Sequence, residues 1–256
     1  MSSATSPDWP SLAIVVPVYN EGANIEHSLR EIAEVAQQYP GRAIVIAVDD
    51  GSSDNSANVL SDLAGELNLL KLSRHDSNAG YGAALRTGAQ DAAKMGLDYV
   101  AFIDSDLTNP PADLLKIGAL ARDGEPYIKG SRFLPGGGMG SVPFRRRAVT
   151  RAGNAVGRLL FGTRLADVTN GFRAVRTELF LSWPLQERGF PIIVEELDWA
   201  LRQGIEPAEF PTVLTARGSG QRTSTFPYSL QTLRSYLRYP MRSLRRRLGN
   251  AMKRSR

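Results

Sequence analysis

Two aspartates one residue apart, Asp104-Ser105-Asp106, follow directly on the apolar run 99–103. Like charges that close repel unless a cation joins them, and hard carboxylate oxygens suit Mg2+ or Mn2+. The bland alternative is a turn whose acids cap the next helix. Asn109, with Pro110 and Pro111 behind it, is expected to fill that role, which leaves Asp104 and Asp106 to a metal. A second pair, Asp49-Asp50, precedes Gly51-Ser52 after another apolar run. Alone it reads as an Asx turn feeding a helix, but an acid at a strand end also accepts hydrogen bonds from a base or ribose, so Asp50 is a candidate nucleotide contact. Gly80-Tyr81-Gly82 imitates part of a dinucleotide fingerprint. Its sixth position is Leu85 and the turn is not the first of the fold, so a dehydrogenase reading is rejected.

The elements that must position these residues follow from periodicity. Runs 12–18, 43–48, 67–72 and 99–103 are apolar, and amphipathic segments 23–38, 56–64 and 83–95 lie between them. Strands apolar on both faces belong to a parallel sheet covered by helices, and ligands of open α/β sheets bind beyond the strands' carboxyl ends. That puts residues 17–22, 49–54, 74–82 and 104–106 on one rim. Each of these segments carries a carboxylate, and an acidic rim needs a cation before it can hold phosphates. Downstream, the spacing predicts a short helix after Asn109-Pro110, a strand at 126–129, a mobile glycine loop at 136–140, a helix over 145–161, a strand at 171–176 and a helix over 195–202.

Composition removes other classes. A chain of 256 residues with 42% hydrophobic side chains suits one domain. No window approaches the roughly 18–20 apolar residues of a spanning helix, and the N-terminus lacks a signal-peptide pattern, so a cytoplasmic, unprocessed protein is expected. With no cysteine and only His27 and His75, any metal is held mainly by oxygen.

The net charge of +5 conceals an asymmetry, because residues 210–256 carry 11 Lys and Arg and no acid. There Leu230, Leu233, Leu237, Met241, Leu244 and Leu248 recur at helical steps, flanked by Arg234, Arg238, Arg242 and Arg245. This is an amphipathic helix, bent at Pro240, expected to lie on an anionic membrane surface through residues 227–256; packing on the body is the alternative. An integral membrane partner is the other route to the bilayer. Nucleic acid is set aside for want of aromatic platforms or a motif. Arg145-Arg146-Arg147 with Arg151 reads equally as a solvated helix start and as a collector of an anionic acceptor.

In order and spacing, residues 17–21, 48–54, 78–82 and 104–106 resemble the inverting glycosyltransferases of the GT-A fold. Gly130-Ser131-Arg132-Phe133, Arg151-Ala152-Gly153-Asn154 and residues 167–173 and 189–195 extend the likeness to polyprenyl-phosphate, dolichol-phosphate mannose synthase-like enzymes, over about residues 12–225. The resemblance implies a Rossmann-like, mostly parallel α/β sheet flanked by helices. With the tail read above, the chain is expected to divide into a disordered segment 1–11, a GT-A domain 12–226 and a basic helical tail 227–256. It implies metal-dependent transfer of a hexose from a nucleotide sugar, of GDP-mannose or UDP-glucose type, to a polyprenyl phosphate. Pro17, Tyr19, Glu21 and Asp50, with Asn78 and Gly80 of the third motif, would hold the donor. Asp104 and Asp106 would hold Mg2+ or Mn2+, and Arg132 and Arg217 the phosphates. The family usually has Gln where Thr108 stands, and Ser-Lys where Arg222-Thr223 stand. A phosphate acceptor needs no protein base; transfer to a soluble or glycan hydroxyl would need one, with Asp167 or Glu195 as candidates.

Overall fold

Leu12–Val18 (β1), rich in β-branched residues and buried almost throughout, lies at the middle of the main sheet. The structure, a computed structural model, describes residues 8–22, 24–140, 142–215 and 230–254. After β1 the chain alternates through Ile25–Gln38 (α1), Ala43–Asp49 (β2), Ser56–Glu66 (α2), Leu70–Arg74 (β3), Tyr81–Lys94 (α3) and Tyr99–Phe102 (β4). A single 3-10 turn, Pro111–Asp113, leads into Leu114–Arg122 (α4), and Tyr127–Ser131 (β5), Gly138–Met139 (β6) and Phe144–Phe161 (α5) follow. Arg173–Arg176 (β7), Thr177–Ser182 (α6), Ile192–Arg202 (α7), Ala208–Pro211 (β8), Val213–Leu214 (β9) and Leu230–Arg254 (α8) complete the described elements.

Seven strands form one sheet in the order β3-β2-β1-β4-β7-β5-β8. The pairs among β3, β2, β1 and β4 are parallel, β7 runs antiparallel to both its neighbours, and β5 pairs parallel with β8. Alternate residues of β1 feed opposite cores: Leu12, Ile14 and Val16 meet α1, α2 and α4, while Ala13 and Val15 meet α3, α6 and α7. The α/β fold read from the sequence is therefore the fold observed, and the carboxyl ends of β1 to β4 share one edge.

Four expectations need adjusting. Residues 9–11, assigned to a disordered segment, pack on the body: Trp9 meets Tyr39 edge-on at 5.4 Å, and the Ser11 hydroxyl and amide both bond Asp98. Asn109 caps nothing, since no side-chain cap bond starts the 3-10 turn, and its buried Oδ1 has no hydrogen-bond partner. Pro110 and Pro111 have no N–H to be capped. The glycine stretch contains β6, which pairs in parallel with β9 in a second small sheet. Finally, α8 is packed against α5 and α7 as well as amphipathic, with Tyr239 buried beside Phe161, Leu165 and Leu197.

Candidate active site

The first three strand ends interlock through backbone and short polar side chains. β1 and β2 run in register to Val18 and Asp49, and the Asp50 amide donates to the Val18 carbonyl at 2.8 Å. Asn20 takes a positive φ of 56°, with its amide bonded to Ser52 Oγ, while Glu21 donates its amide to Ser56 Oγ. Tyr19, half-exposed at the head of this turn, and the neighbouring Pro17 and Glu21 thus stand beside Asp50.

Asp50 is buried, and its own chain engages it. Its Oδ1 accepts from the Ala79 amide at 2.9 Å and faces His75 Nδ1 at 2.6 Å; its Oδ2 accepts from the Gly80 amide at 2.8 Å. His75 in turn reaches Thr87 Oγ1 of α3 through Nε2 at 2.9 Å. His75 is therefore an orienting group for Asp50, a role the sequence reading missed; its place just after a strand was the available signal. Asn78 is exposed next to this cradle. Gly51 and Gly80 are both left-handed, and a Cβ at Gly51 would lie 2.4 Å from the Ser77 carbonyl carbon. The close contact of the two loops thus depends on glycine.

At the fourth strand end, Asp104 and Asp106 are half-buried and each has a hydroxyl donor. The Tyr81 hydroxyl donates to Asp104 Oδ1 at 3.1 Å. The Thr108 hydroxyl and amide donate to Asp106 Oδ1 at 2.9 and 3.1 Å, closing a turn in which Leu107 has a φ of 53°. Thr108 therefore orients Asp106 within the protein. Among the described residues no group of three His, Cys, Asp or Glu forms a metal cage. Two oriented carboxylates at a strand end would nevertheless suit a hard cation.

Behind Asp104 lies a chain of buried charge. Burial pushes the Tyr81 phenol well above its ordinary value, and Asp104 pushes the same way against the opposing charge of Arg173. Arg173 is fully buried, pairs through Nε with Glu196 Oε2 at 2.6 Å and through Nη2 with Oε1, and lies over the Phe102 ring. Lys129, also fully buried, donates to the Asn170 carbonyl at 2.7 Å; burial, with the charge of Arg173, lowers its pKa to about 7.

The loop 167–171 joins this interior to the surface. A Cβ at Gly171 would sit 3.4 Å from the Tyr81 hydroxyl and 3.8 Å from Asp104 Oδ2. At the other end of that loop Asp167 grips Arg132, with Nε to Oδ2 at 2.6 Å and Nη2 to Oδ1 at 2.8 Å, and Thr169 Oγ1 accepts from Nη2 at 2.7 Å. Burial alone would raise Asp167, but the charge and hydrogen bonds of Arg132 hold it below the ordinary carboxylate value. Its carboxylate also accepts the amides of Thr169 and Asn170. Glu195, the other candidate base, is buried and accepts the amides of Gln186 and Glu187. Both acids are thus structural anchors in this arrangement.

Arg132 also lines a cavity of about 610 Å³ with Phe133, Gly136, Arg151, Asn154 and Arg158. None of the lining residues is acidic, so the space suits an anion. From the far side, Tyr236 of α8 comes within electrostatic range. Its phenol is pushed up by burial, against the charge of Arg173, with Asp104 adding to the rise and Arg132 opposing it. Arg217, expected to meet phosphates, lies outside the described residues, as do Arg222-Thr223 and residues 227–229.

A mostly parallel seven-stranded sheet of this order, with acidic residues just beyond the carboxyl ends of its parallel strands, is an α/β fold of the GT-A type. The chain belongs to the glycosyl transferase family 2, whose family model matches residues 13–182, and it is a glycosyltransferase. It is 27% identical over 212 residues to the polyprenol monophosphomannose synthase of Mycolicibacterium smegmatis, covering 81% of this chain and 78% of that one. It is 26% identical to the undecaprenyl-phosphate mannosyltransferase of Micrococcus luteus, covering 81% and 84%. The likeness to the dolichol-phosphate mannosyltransferase of Pyrococcus furiosus is 26%, over 91% of this chain and 64% of that one. Among solved structures, glucosyl-3-phosphoglycerate synthase from Mycobacterium tuberculosis, in complex with Mn2+, uridine diphosphate and phosphoglyceric acid, superposes with a TM-score of 0.63. That match has 22% identity and covers 92% of this chain and 77% of that one. The same protein has also been crystallised with Mg2+ and uridine diphosphate.

Proposed function

We propose that this glycosyltransferase moves a hexose from a nucleoside diphosphate sugar to a polyprenyl phosphate with inversion at the anomeric carbon. The observation that carries the reading is the juxtaposition of Asp104 and Asp106 on one side of the loop 167–171 with the cavity of Arg132, Arg151 and Arg158 on the other. Pro17, Tyr19, Glu21, Asp50, Asn78 and Gly80 bind the nucleoside in this scheme, and Asp104 and Asp106 hold Mg2+ or Mn2+. The cation, when bound, neutralises charge on the departing diphosphate. The chain orients the two carboxylates through Tyr81 and Thr108, and the cavity arginines, with Arg217, draw anionic groups to the site.

A phosphate monoester has a second pKa of about 6, so near neutral pH it is largely dianionic and attacks without a protein base. That matches a site in which Asp167 and Glu195 are both committed to the chain's own donors. Transfer to a soluble hydroxyl would require freeing one of them. The relatives named for polyprenol, undecaprenyl-phosphate and dolichol-phosphate mannosyl transfer support the acceptor class. The acceptor is met at the cytoplasmic face of an anionic membrane, with residues 227–256 contributing to the contact; no described helix is long and apolar enough to cross it.

The test offers purified protein with Mn2+ a panel of UDP- and GDP-sugars together with a polyprenyl phosphate, and reads the lipid by mass. A glycosyl phosphoprenol from one donor is expected. Transfer only to soluble hydroxyl acceptors would overturn the acceptor assignment.

A further inference from the structure

Helix α5 presents its more apolar face away from the body. Across 18 residues it buries only Asn154, Gly157 and Phe161. On the opposite side Phe144, Val149, Val156 and Leu159 are 74%, 60%, 47% and 76% exposed. At 3.6 residues per turn these four share one arc, and a solvated helix face would normally be polar there. Arg145 stands within it at the helix's N-terminal end, and arginines border it, Arg146 along one edge and Arg151 and Arg158 along the other. Between Glu125 and Asp167 the sequence contains no acid at all.

The neighbouring helix repeats the pattern. In α8, Met241, Leu248 and Met252 are exposed at intervals that keep them in one row, beside exposed Arg238, Arg242 and Arg245. The two helices join where Arg247 Nη1 donates to the carbonyls of Leu159 and Leu160 at 3.4 and 3.5 Å. The buried side of α8 is a different one, carrying Tyr239 and Ser243. Packing on the body therefore accounts for that side and leaves the Met241-Leu248-Met252 row exposed. Two adjoining helices with an apolar row, a cationic border and no acid complement an extended anionic surface with an apolar interior. Guanidinium groups reach lipid phosphates while their neighbours enter the acyl boundary.

We propose that α5, with the exposed row of α8 beside it, docks on an anionic bilayer and inserts the Phe144-Val149-Val156-Leu159 face into it. Arg151 and Arg158 then serve two places at once, since both border that face and both line the cavity. A lipid phosphate can enter the cavity along this edge while its chain stays among lipids. This last consequence rests on the transfer proposed above; the docking itself does not.

The experiment uses the full chain and co-sedimentation with phosphatidylcholine vesicles, with and without phosphatidylglycerol. Wild type is expected on the anionic vesicles and not on the neutral ones. Val156→Glu with Leu159→Glu, both at exposed positions, should lower binding at least tenfold with an unchanged thermal midpoint. Arg145→Ala and Arg146→Ala should each cost about fivefold. The inference fails if wild type ignores anionic vesicles, or if the Val156→Glu/Leu159→Glu variant binds them as wild type does. The same variant should keep its rate on a short, water-soluble prenyl phosphate and lose it on vesicle-borne acceptor. Absence of transfer to either acceptor by wild type, with vesicle binding intact, would sink the transfer reading and leave the docking standing.

Discussion

The Tyr81 hydroxyl donates to Asp104 Oδ1 across 3.1 Å, tying the first residue of α3 to the end of β4. Tyr81 is held in turn by stacking on Phe190, with ring centroids 4.5 Å apart. Tyr81→Phe keeps the stack and removes the bond. Half-saturation by Mn2+, read by the electron paramagnetic resonance of the free ion, is expected to rise about fivefold, equivalent to ~1 kcal/mol for one hydrogen bond. The rate at saturating Mn2+ and the thermal midpoint should stay near wild type. An unchanged Mn2+ titration would sever Tyr81 from the metal site.

Thr108 bears on Asp106 in the same way, but with two donors. Thr108→Val removes the hydroxyl and leaves the amide, so Mn2+ affinity should fall by a few fold. Asp106→Asn removes an ionised ligand and should abolish Mn2+ binding in the same titration. Equal effects of the two variants would contradict the orienting role given to Thr108.

Sequence patterns made the parallel half of the sheet and its acidic edge legible, because strands covered on both faces are continuous apolar runs and ligand groups follow their ends. They could not show that Asp167 and Arg132, 35 residues apart, meet in a two-point ion pair, since nothing local encodes that pairing. Asn109 misled for a related reason: the side chain has the right chemistry for a cap, but Pro111 removes one of the two amides it could bond and the turn starts from Pro110 instead. The tail's leucine periodicity was readable as a helix. Which side the body would cover depended on Tyr236, Tyr239 and Ser243, polar-tipped residues that the leucine pattern passes over.

The Asp167–Arg132 pair gives a pH signature. The folded pKa of Asp167 lies below its unfolded value of about 3.9, so the pair's stabilisation is fully present above that value and is lost as pH falls through the folded pKa. Asp167→Asn leaves Arg132 without its buried counter-charge. Urea unfolding should show a loss of about 3–5 kcal/mol at pH 7, shrinking as pH drops below 4. A loss that stays constant with pH would mean the cost is steric. If Asp167 were instead a required base, the variant would lose transfer to a phosphate acceptor completely; partial transfer is expected.

Gly80 makes a sharper test of how the donor edge is built. Its φ is 100°, and a Cβ there would fall 2.4 Å from the Arg188 carbonyl oxygen. That carbonyl accepts the Gly82 amide at 2.6 Å, and the same segment leads to Phe190 and so to Tyr81. Gly96 is the control, with a φ of 66° and nothing within 4 Å of an added Cβ. Gly96→Ala should cost only backbone strain, about 1–2 kcal/mol. Gly80→Ala, at φ 100° and ψ 155° where glycine alone sits easily, carries a larger backbone strain plus displacement of the 187–190 segment, so its loss in urea unfolding should be clearly larger. Because the segment's movement takes Phe190 from Tyr81, Gly80→Ala should also weaken Mn2+ binding, which Gly96→Ala leaves alone. Equal stability losses with equal metal affinities would show that the contact with Arg188 is not what makes glycine necessary at position 80.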